Sequence, residues 1–337
     1  MIFLLPRDEE PSGGNVYDRR VIDGLRETGW DVREIAVEGA WPMPSEPERD
    51  TLAGELTAIP DGTLVVADGL VACGVPDVVV PHAGRLRLVI LVHSALADEG
   101  GADLDAGERA VLHAARAVVT TSQGAAERIR DRHGLGEVHV VAPGTDPAGL
   151  APGTDGASRL LCVASVTPLK GQDVLVQALA RLTGRPWTCG CAGSLRRAPG
   201  YVGQVRELIA RHGLSERFQL LGSRTGDELE QAYAAADLVV LPSRSETYGM
   251  VVAEALARGI PVVASAAPDA LGTTPDGSLP GLTFPPGDVP ALTGTLRRWF
   301  DDPGLRERLR RSARLRRDTL TPWTLTAHRM ARVLATI

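Results

Sequence analysis

LVVLPSRSETYGMVVAEALARGIPVVAS, residues 238–265, reads as a buried strand that stops at Pro242, a short polar loop, a helix that starts near Gly249, and a second buried strand. A continuous aliphatic run belongs to a sheet covered on both faces, and the helix that follows it makes the run one repeat of a parallel α/β layer. The loop from Ser243 to Tyr248 then lies at the carboxyl end of a strand, where such sheets bind ligands.

Upstream of this stretch the alternation continues. RLLCVAS, WTCGCAG, FQLLG and DLVVLPS read as strands, and GQDVLVQALARL, YVGQVRELIARHG and DELEQAYAAA as the helices between them, the second closed by Gly213. The first half does the same with IFLL, DVREIAV, TLVVAD, LRLVILVH, AVVTTS and VHVVAP, with helical patterns over 15–28, about 105–115, and from about 123. Between the halves, PGTDPAGLAPGTDGAS (143–158) is rich in Gly and Pro and has no apolar period, which marks a boundary. The expected organisation is a Rossmann-like domain over 1–147, a second over 148–320, and a C-terminal helix over 321–337, with Trp323 as its anchor. A chain of 337 residues suits two cores better than one.

Composition narrows the function classes. Apolar residues at 44% and charged residues at 23% describe a chain that folds, and a net charge of −6 gives no reason to propose nucleic acid as a partner. No apolar run approaches the roughly 20 residues of a membrane span. Residues 1–10 read as a first strand with no basic leader, so a cytoplasmic location is expected. Cys73, Cys162, Cys189 and Cys191 sit in apolar stretches and are read as packing residues. The segment 297–317 carries nine Arg with Leu305, Leu309 and Ala313 at helical spacing. It is read as a solvated helix packed by its leucine stripe, ahead of a peripheral membrane contact.

The chemistry concentrates in a few places. Gly249 lets a ligand approach the backbone, and the amides of Met250 and Val251 at the helix start suit a phosphate. Glu246 and Glu254 flank that position, and carboxylates beside a phosphate site are suited to hydroxyl groups. A sugar nucleotide has phosphate between two hydroxyl-bearing ends. Of 36 basic side chains, 35 are Arg and one, Lys170, is Lys, which singles Lys170 out as a site that needs a compact ammonium. Ser12, Gly13, Gly14 and Asn15 read as a loop between the first strand and first helix, and His93 ends a buried run at another strand's carboxyl end. Asp98 and Glu99 are placed in the loop that follows, with Asp98 a candidate for acceptor contact, and Ser122 reads as a helix cap. Asp103 and Asp105 are assigned to a helix start rather than to a metal site.

Glu246, seven intervening residues and Glu254, with Gly249 between them, resemble the donor-site signature of glycosyltransferase family 4. The resemblance extends to LLPRDEEPSGGNVYDRRVIDGLRETGWDV (4–32), VVAPGTD (140–146) and VASVTPLKGQDVLVQAL (163–179). It implies the α/β GT-B fold: two Rossmann-like, doubly wound domains facing a cleft, the C-terminal helix crossing back to the first. It also implies a retaining, metal-independent transferase without cofactor, moving a hexose-type sugar from a nucleotide-sugar donor, UDP-sugar ahead of GDP-sugar. The acceptor, a small molecule or a lipid-linked one, stays open. By the same resemblance Glu246 contacts the donor sugar and Glu254 the ribose, the Tyr248–Val251 segment holds sugar and phosphate, Gly13 and Gly14 reach the phosphate, and His93 lies beside the transferred sugar. Lys170 grips the pyrophosphate. The Arg that the family carries five residues earlier is Ser165 here, and Arg244, or Arg196 and Arg197, are the candidates to replace its charge. His93, Lys170 and Glu246 form the expected catalytic set. In the family's reaction the departing phosphate takes the acceptor's proton, so no dedicated base is required. Two alternatives stand: a nucleotide-binding chain without turnover, which Ser165 favours, and a sugar-nucleotide epimerase or hydrolase, which would need further acid/base residues. Neither half carries the Gly-x-Gly-x-x-Gly of a dehydrogenase.

Overall fold

The computed structural model describes residues 1–7, 12–265 and 268–337, without the side chains of 97–102 and 268. The chain divides into two compact units: one built on Gly13–Gly144 with the first strand and Trp323–Ile337, the other on Thr145–Pro322.

The first unit is a parallel sheet of β1 (Ile2–Pro6), β2 (Arg33–Val37), β3 (Leu64–Asp68), β4 (Arg87–Val92), β5 (Ala117–Thr120) and β6 (His139–Val140). Their order is β2-β1-β3-β4-β5-β6. All five residues of β3 and the last five of β4 are buried, as two-sided helix cover requires of central parallel strands. The C-terminal helix Trp323–Leu334 packs on the first helix, Gly13–Glu27. Their axes approach closely at Gly24, where an added Cβ would stand 2.5 Å from that of Ala327. Tyr17 is fully buried, donates to the Val141 carbonyl at 2.8 Å, and sets its ring edge-on to Trp323 with centroids 5.9 Å apart.

The second unit repeats the plan with β7 (Arg159–Val163), β8 (Thr188–Ala192), β9 (Phe218–Gly222), β10 (Leu238–Leu241), β11 (Val262–Ala264) and β12 (Gly281–Thr283), all parallel, ordered β12-β11-β10-β7-β8-β9. Asp237, at the start of β10, organises the chain entering β7: its carboxylate accepts from the Thr154, Gly156 and Arg159 amides and the Thr154 hydroxyl. All four cysteines are buried and unbridged, and Cys162 and Cys191 pair in register across β7 and β8.

In this unit the Arg-rich segment forms the helices Val289–Asp301 and Pro303–Arg317, with Leu305, Leu309 and Ala313 buried. Four of its nine arginines bind backbone carbonyls: Arg306 donates to the Trp299 and Phe300 carbonyls, Arg310 to Gly156, Arg316 to Leu271 and Arg317 to Ala148. The segment ties loops to the domain. Among the described residues no helix is long and apolar enough to cross a membrane.

Two local expectations are corrected. Gly13, Gly14 and Asn15 are not a loop but the first turn of the helix Gly13–Glu27. The stretch after His93 enters a helix at Ala97, running to Ala114, so Asp98, Glu99 and Asp103 lie in that helix and not in a loop or at its start. The side chains of Asp98 and Glu99 lie outside the described residues.

Candidate active site

In each sheet the strand order reverses once beside its first strand, between β1 and β3 and between β7 and β10, and a cluster of charged side chains stands at the carboxyl end of each reversal.

In the second unit, the chain leaving β7 turns over Gly193, where any Cβ would lie 1.9 Å from the Ala164 carbonyl oxygen. It passes Ser165, whose carbonyl accepts from the Gln172 amide at 3.0 Å, and makes a single 3₁₀ turn over Pro168–Lys170. Gly171 then takes φ +67°, and a Cβ there would stand 2.2 Å from the Pro242 carbonyl oxygen. Glycine is required twice over, by backbone conformation and by close approach. The loops after β7 and β10 therefore meet backbone to backbone, with the Arg244 amide donating to the Leu169 carbonyl at 2.7 Å. That contact brings Lys170 Nζ to 2.8 Å from Glu246 Oε2, with the side chains 27% and 13% exposed. Ser243, fully buried, lies 3.3 Å from the same carboxylate oxygen through its hydroxyl.

Arg244, a candidate for the charge absent at Ser165, is already engaged within its own unit. Its guanidinium is held in a two-point bond by the Asp173 carboxylate at 2.9 and 2.7 Å and also donates to the Pro168 carbonyl at 2.5 Å. Burial pushes the Asp173 carboxyl up, but bonds from Arg244 and the Tyr201 hydroxyl outweigh it and hold the group below the ordinary carboxylate range. Arg196 and Arg197 are exposed in the loop after β8.

Beyond Glu246, Tyr248 is buried and Gly249 takes φ +84° as the residue before the helix Met250–Ala257. The amides of Met250 and Val251 stand in the first turn, where a helix has no internal acceptors for them. One turn on, Glu254 accepts from the Tyr233 hydroxyl at 2.7 Å. Burial raises its carboxyl above the ordinary value. Arg258 covers the Tyr233 ring at 4.4 Å and pairs with Glu230.

In the first unit, His93 follows β4 directly. Its Nε2 lies 2.7 Å from Asp18 Oδ1 and 4.0 Å from Asp68 Oδ2, and Tyr17 meets the ring edge-on at 5.2 Å. Gly14 rests on the imidazole, where a Cβ would come within 3.3 Å of Cδ2. Asp18 and Asp68 are 3% and 4% exposed, so both carboxyls sit away from water. Asp68 also accepts from the Leu70 amide at 2.7 Å and caps the short helix Gly69–Ala72. Burial disfavours the charged imidazole, but the charge and hydrogen bond of Asp18, then the charge of Asp68, outweigh it and raise His93 to about 9. Burial raises Asp68 to about 7 against the opposing pull of His93, with Asp18 adding to the rise.

Sequence reasoning missed both aspartates. The signals were there: Asp68 closes the apolar run LVVAD, and Asp18 sits on a helix face whose other members, Tyr17, Val21, Ile22 and Leu25, are all buried. A carboxylate on such a face requires a partner. Asp18, Asp68 and His93, and likewise Asp105, Glu108 and His133, bring ligand-type atoms within 4.8 Å of one another. Within these sets carboxylates already hold basic partners: Asp18 on His93, Glu108 Oε2 on His133 Nε2 at 3.1 Å, and Asp105 on Arg132 at 2.5 Å. Glu108 Oε1 also accepts from the Leu96 amide at 3.1 Å, bracing the loop that follows His93. Ser122 caps its helix by accepting from the Ala125 amide at 3.0 Å.

Residues 153–316 match the family described as glycosyl transferases group 1. A D-inositol 3-phosphate glycosyltransferase of Salinispora tropica is 31% identical, over 91% of this chain and 78% of its own. Among solved structures, sucrose-phosphate synthase from Thermosynechococcus elongatus superposes with a TM-score of 0.82 at 22% identity, covering 100% of this chain and 98% of its own. HepE of Anabaena in complex with UDP-glucose gives 0.79 at 20% identity, with both chains fully covered. These likenesses identify the two-domain α/β architecture as GT-B.

Proposed function

This chain belongs to the group 1 glycosyl transferases, and from that premise we propose that it is a retaining, family 4 enzyme that takes a hexose-type sugar from a nucleotide-sugar donor. The observation that carries the reading is the juxtaposition of Lys170, the chain's one lysine, with Glu246 at 2.8 Å, next to the helix that Gly249 opens. An ammonium, two helix-start amides and a carboxylate at one strand edge match a pyrophosphate joined to a sugar. The Lys170–Glu246 contact then has a further use: each group keeps the other satisfied until pyrophosphate takes the ammonium and sugar hydroxyls take the carboxylate.

In the proposed reaction the bond from sugar to phosphate breaks, negative charge builds on the departing nucleotide, and Lys170 with the Met250 and Val251 amides stabilises it. Glu246 orients the sugar and Glu254, held by Tyr233, takes the ribose. The acceptor attacks on the face that the nucleotide leaves, and the departing phosphate takes its proton, so neither a metal nor a protein base is assigned. We assign the acceptor to the first unit and place the enzyme in the cytoplasm. UDP-sugar is the favoured donor, as HepE is bound to UDP-glucose in its structure. The Salinispora tropica relative is named a D-inositol 3-phosphate glycosyltransferase, which makes a phosphorylated polyol the first acceptor to try. A second reading, nucleotide binding without turnover, is favoured by the commitment of Arg244 to Asp173, which leaves Ser165 without that replacement charge.

Thermal shift with UDP, GDP, ADP and their glucose, N-acetylglucosamine and mannose forms tests the reading. Stabilisation by one nucleotide series, reduced in Lys170→Ala and Glu246→Ala, is the expected result. No stabilisation by any of them would remove the donor site from this account.

A further inference from the structure

The first unit places His93 where a strand edge and a helix start meet, and the family resemblance gives no role to the two carboxyls behind it. His93 is 15% exposed at its side chain, and behind it lie two carboxyls that are almost wholly out of water. The titratable groups facing the imidazole, among the described residues, are Asp18 and Tyr17 from the helix Gly13–Glu27 and Asp68 from the end of β3. Gly14, in the first turn of that helix, lies against the ring itself. Two carboxyls this close in a dry setting do not both ionise readily beside a single cation. A neutral Asp68 leaves a one-to-one pair of Asp18 and His93, and an ionised Asp68 leaves one net negative charge behind the ring.

We propose that Asp18 and Asp68 are positioning residues that act through His93: Asp18 fixes the imidazole by Nε2 and keeps it an imidazolium, and Asp68 sets the net charge behind it, so that the ring and the helix start at Gly13 and Gly14 receive a phosphate-bearing ligand. The inference rests on the transferase reading. Two independent features support it, the 2.7 Å contact that fixes the ring and the helix start that meets it at Gly14. The direction of both pKa changes agrees with it. With rising pH, ionisation of Asp68 makes the cluster net negative and weakens its hold on an anion before the imidazolium itself is lost.

The test uses the whole chain and UDP as the probe. Imidazole nitrogen NMR, with His93 assigned through His93→Gln, follows the titration of the ring. Calorimetry follows UDP affinity at pH 6 and pH 8.5. In wild type the His93 signal stays that of an imidazolium well above neutrality, and in Asp18→Asn its titration falls towards the ordinary histidine range. Asp18→Asn loses about tenfold in UDP affinity at pH 8.5, about 1.4 kcal/mol, and recovers most of it at pH 6, where the ring is charged without help. Asp68→Asn, which keeps that position neutral, flattens the decline in affinity between the two pH values. A merely structural role would give equal losses at both. An unmoved His93 titration in Asp18→Asn, or pH-independent losses, overturns this inference and leaves the donor site standing. A wild type that binds no UDP at either pH overturns the transferase reading and this inference together.

Discussion

Each unit sets a basic side chain at the carboxyl edge of its parallel sheet, with different chemistry behind it. The second unit uses an ammonium, Lys170, 27% exposed at its side chain and paired with one carboxylate. The first uses an imidazole, His93, backed by two buried carboxyls. The difference in burial lies in one partner of each pair, Lys170 at 27% against Asp18 at 4%: water reaches the first and eases its exchange, whereas separating the second strands a charge. On the proposed function, the second unit's pair is the one that opens onto the donor, and the first unit's pair holds its ring still.

The sharpest way to break this comparison is at the turn that delivers Lys170. Gly171→Ala places a Cβ against the Pro242 carbonyl in a left-handed conformation. It should cost about 3 kcal/mol or more, read as a lowered Tm. An unchanged Tm would show that the two loops do not depend on this approach. Next in size, Lys170→Ala should weaken UDP binding by about 2 kcal/mol, roughly 30-fold, in calorimetry. Lys170→Arg should fail to restore it, since a planar fork does not replace a compact ammonium.

The pH dependence of stability sharpens the other side. His93 has a folded pKa above its unfolded value, so its contribution is fully present below about pH 6.5 and is lost as pH rises through about 9. Asp68, raised to about 7 by burial, works in the same direction: its neutral form is the stable one, and stability declines from about pH 4 through about 7. The His93→Gln variant should therefore have a flatter Tm profile than wild type between pH 6.5 and 9. The smallest effect belongs to Arg244→Gln. Its pair with Asp173 is partly solvent-screened, with Arg244 39% exposed, and its loss should cost about 1 kcal/mol or less in denaturant unfolding.

The contrast also explains what could be read from the sequence. The alternation of apolar runs and helical spacing is local, so the two-sheet α/β plan was legible, and Lys170 stands out in the sequence as the single lysine. The two carboxyls behind His93 were not legible. Asp18 and His93 lie 75 residues apart and meet only because β1, β3 and β4 are neighbours in the sheet. Arg244 was offered as a phosphate ligand because the loop's charge is visible in sequence, while the 71-residue reach to Asp173 that occupies it is not. Only the first residues of the helix from Ala97 read as a loop in sequence, because Gly100 and Gly101 are poor helix formers, a local preference that the fold overrides. The Gly13–Gly14 pair misled in the same way, since glycines at a helix start resemble those of a turn.

Hydrogen exchange with and without UDP tests the central claim, that the donor is held by the second unit around Lys170 and Glu246. The account predicts protection of backbone amides in 165–173 and 243–254, and loss of that protection in Lys170→Ala. Protection confined to the first unit, or protection that Lys170→Ala leaves intact, would contradict it.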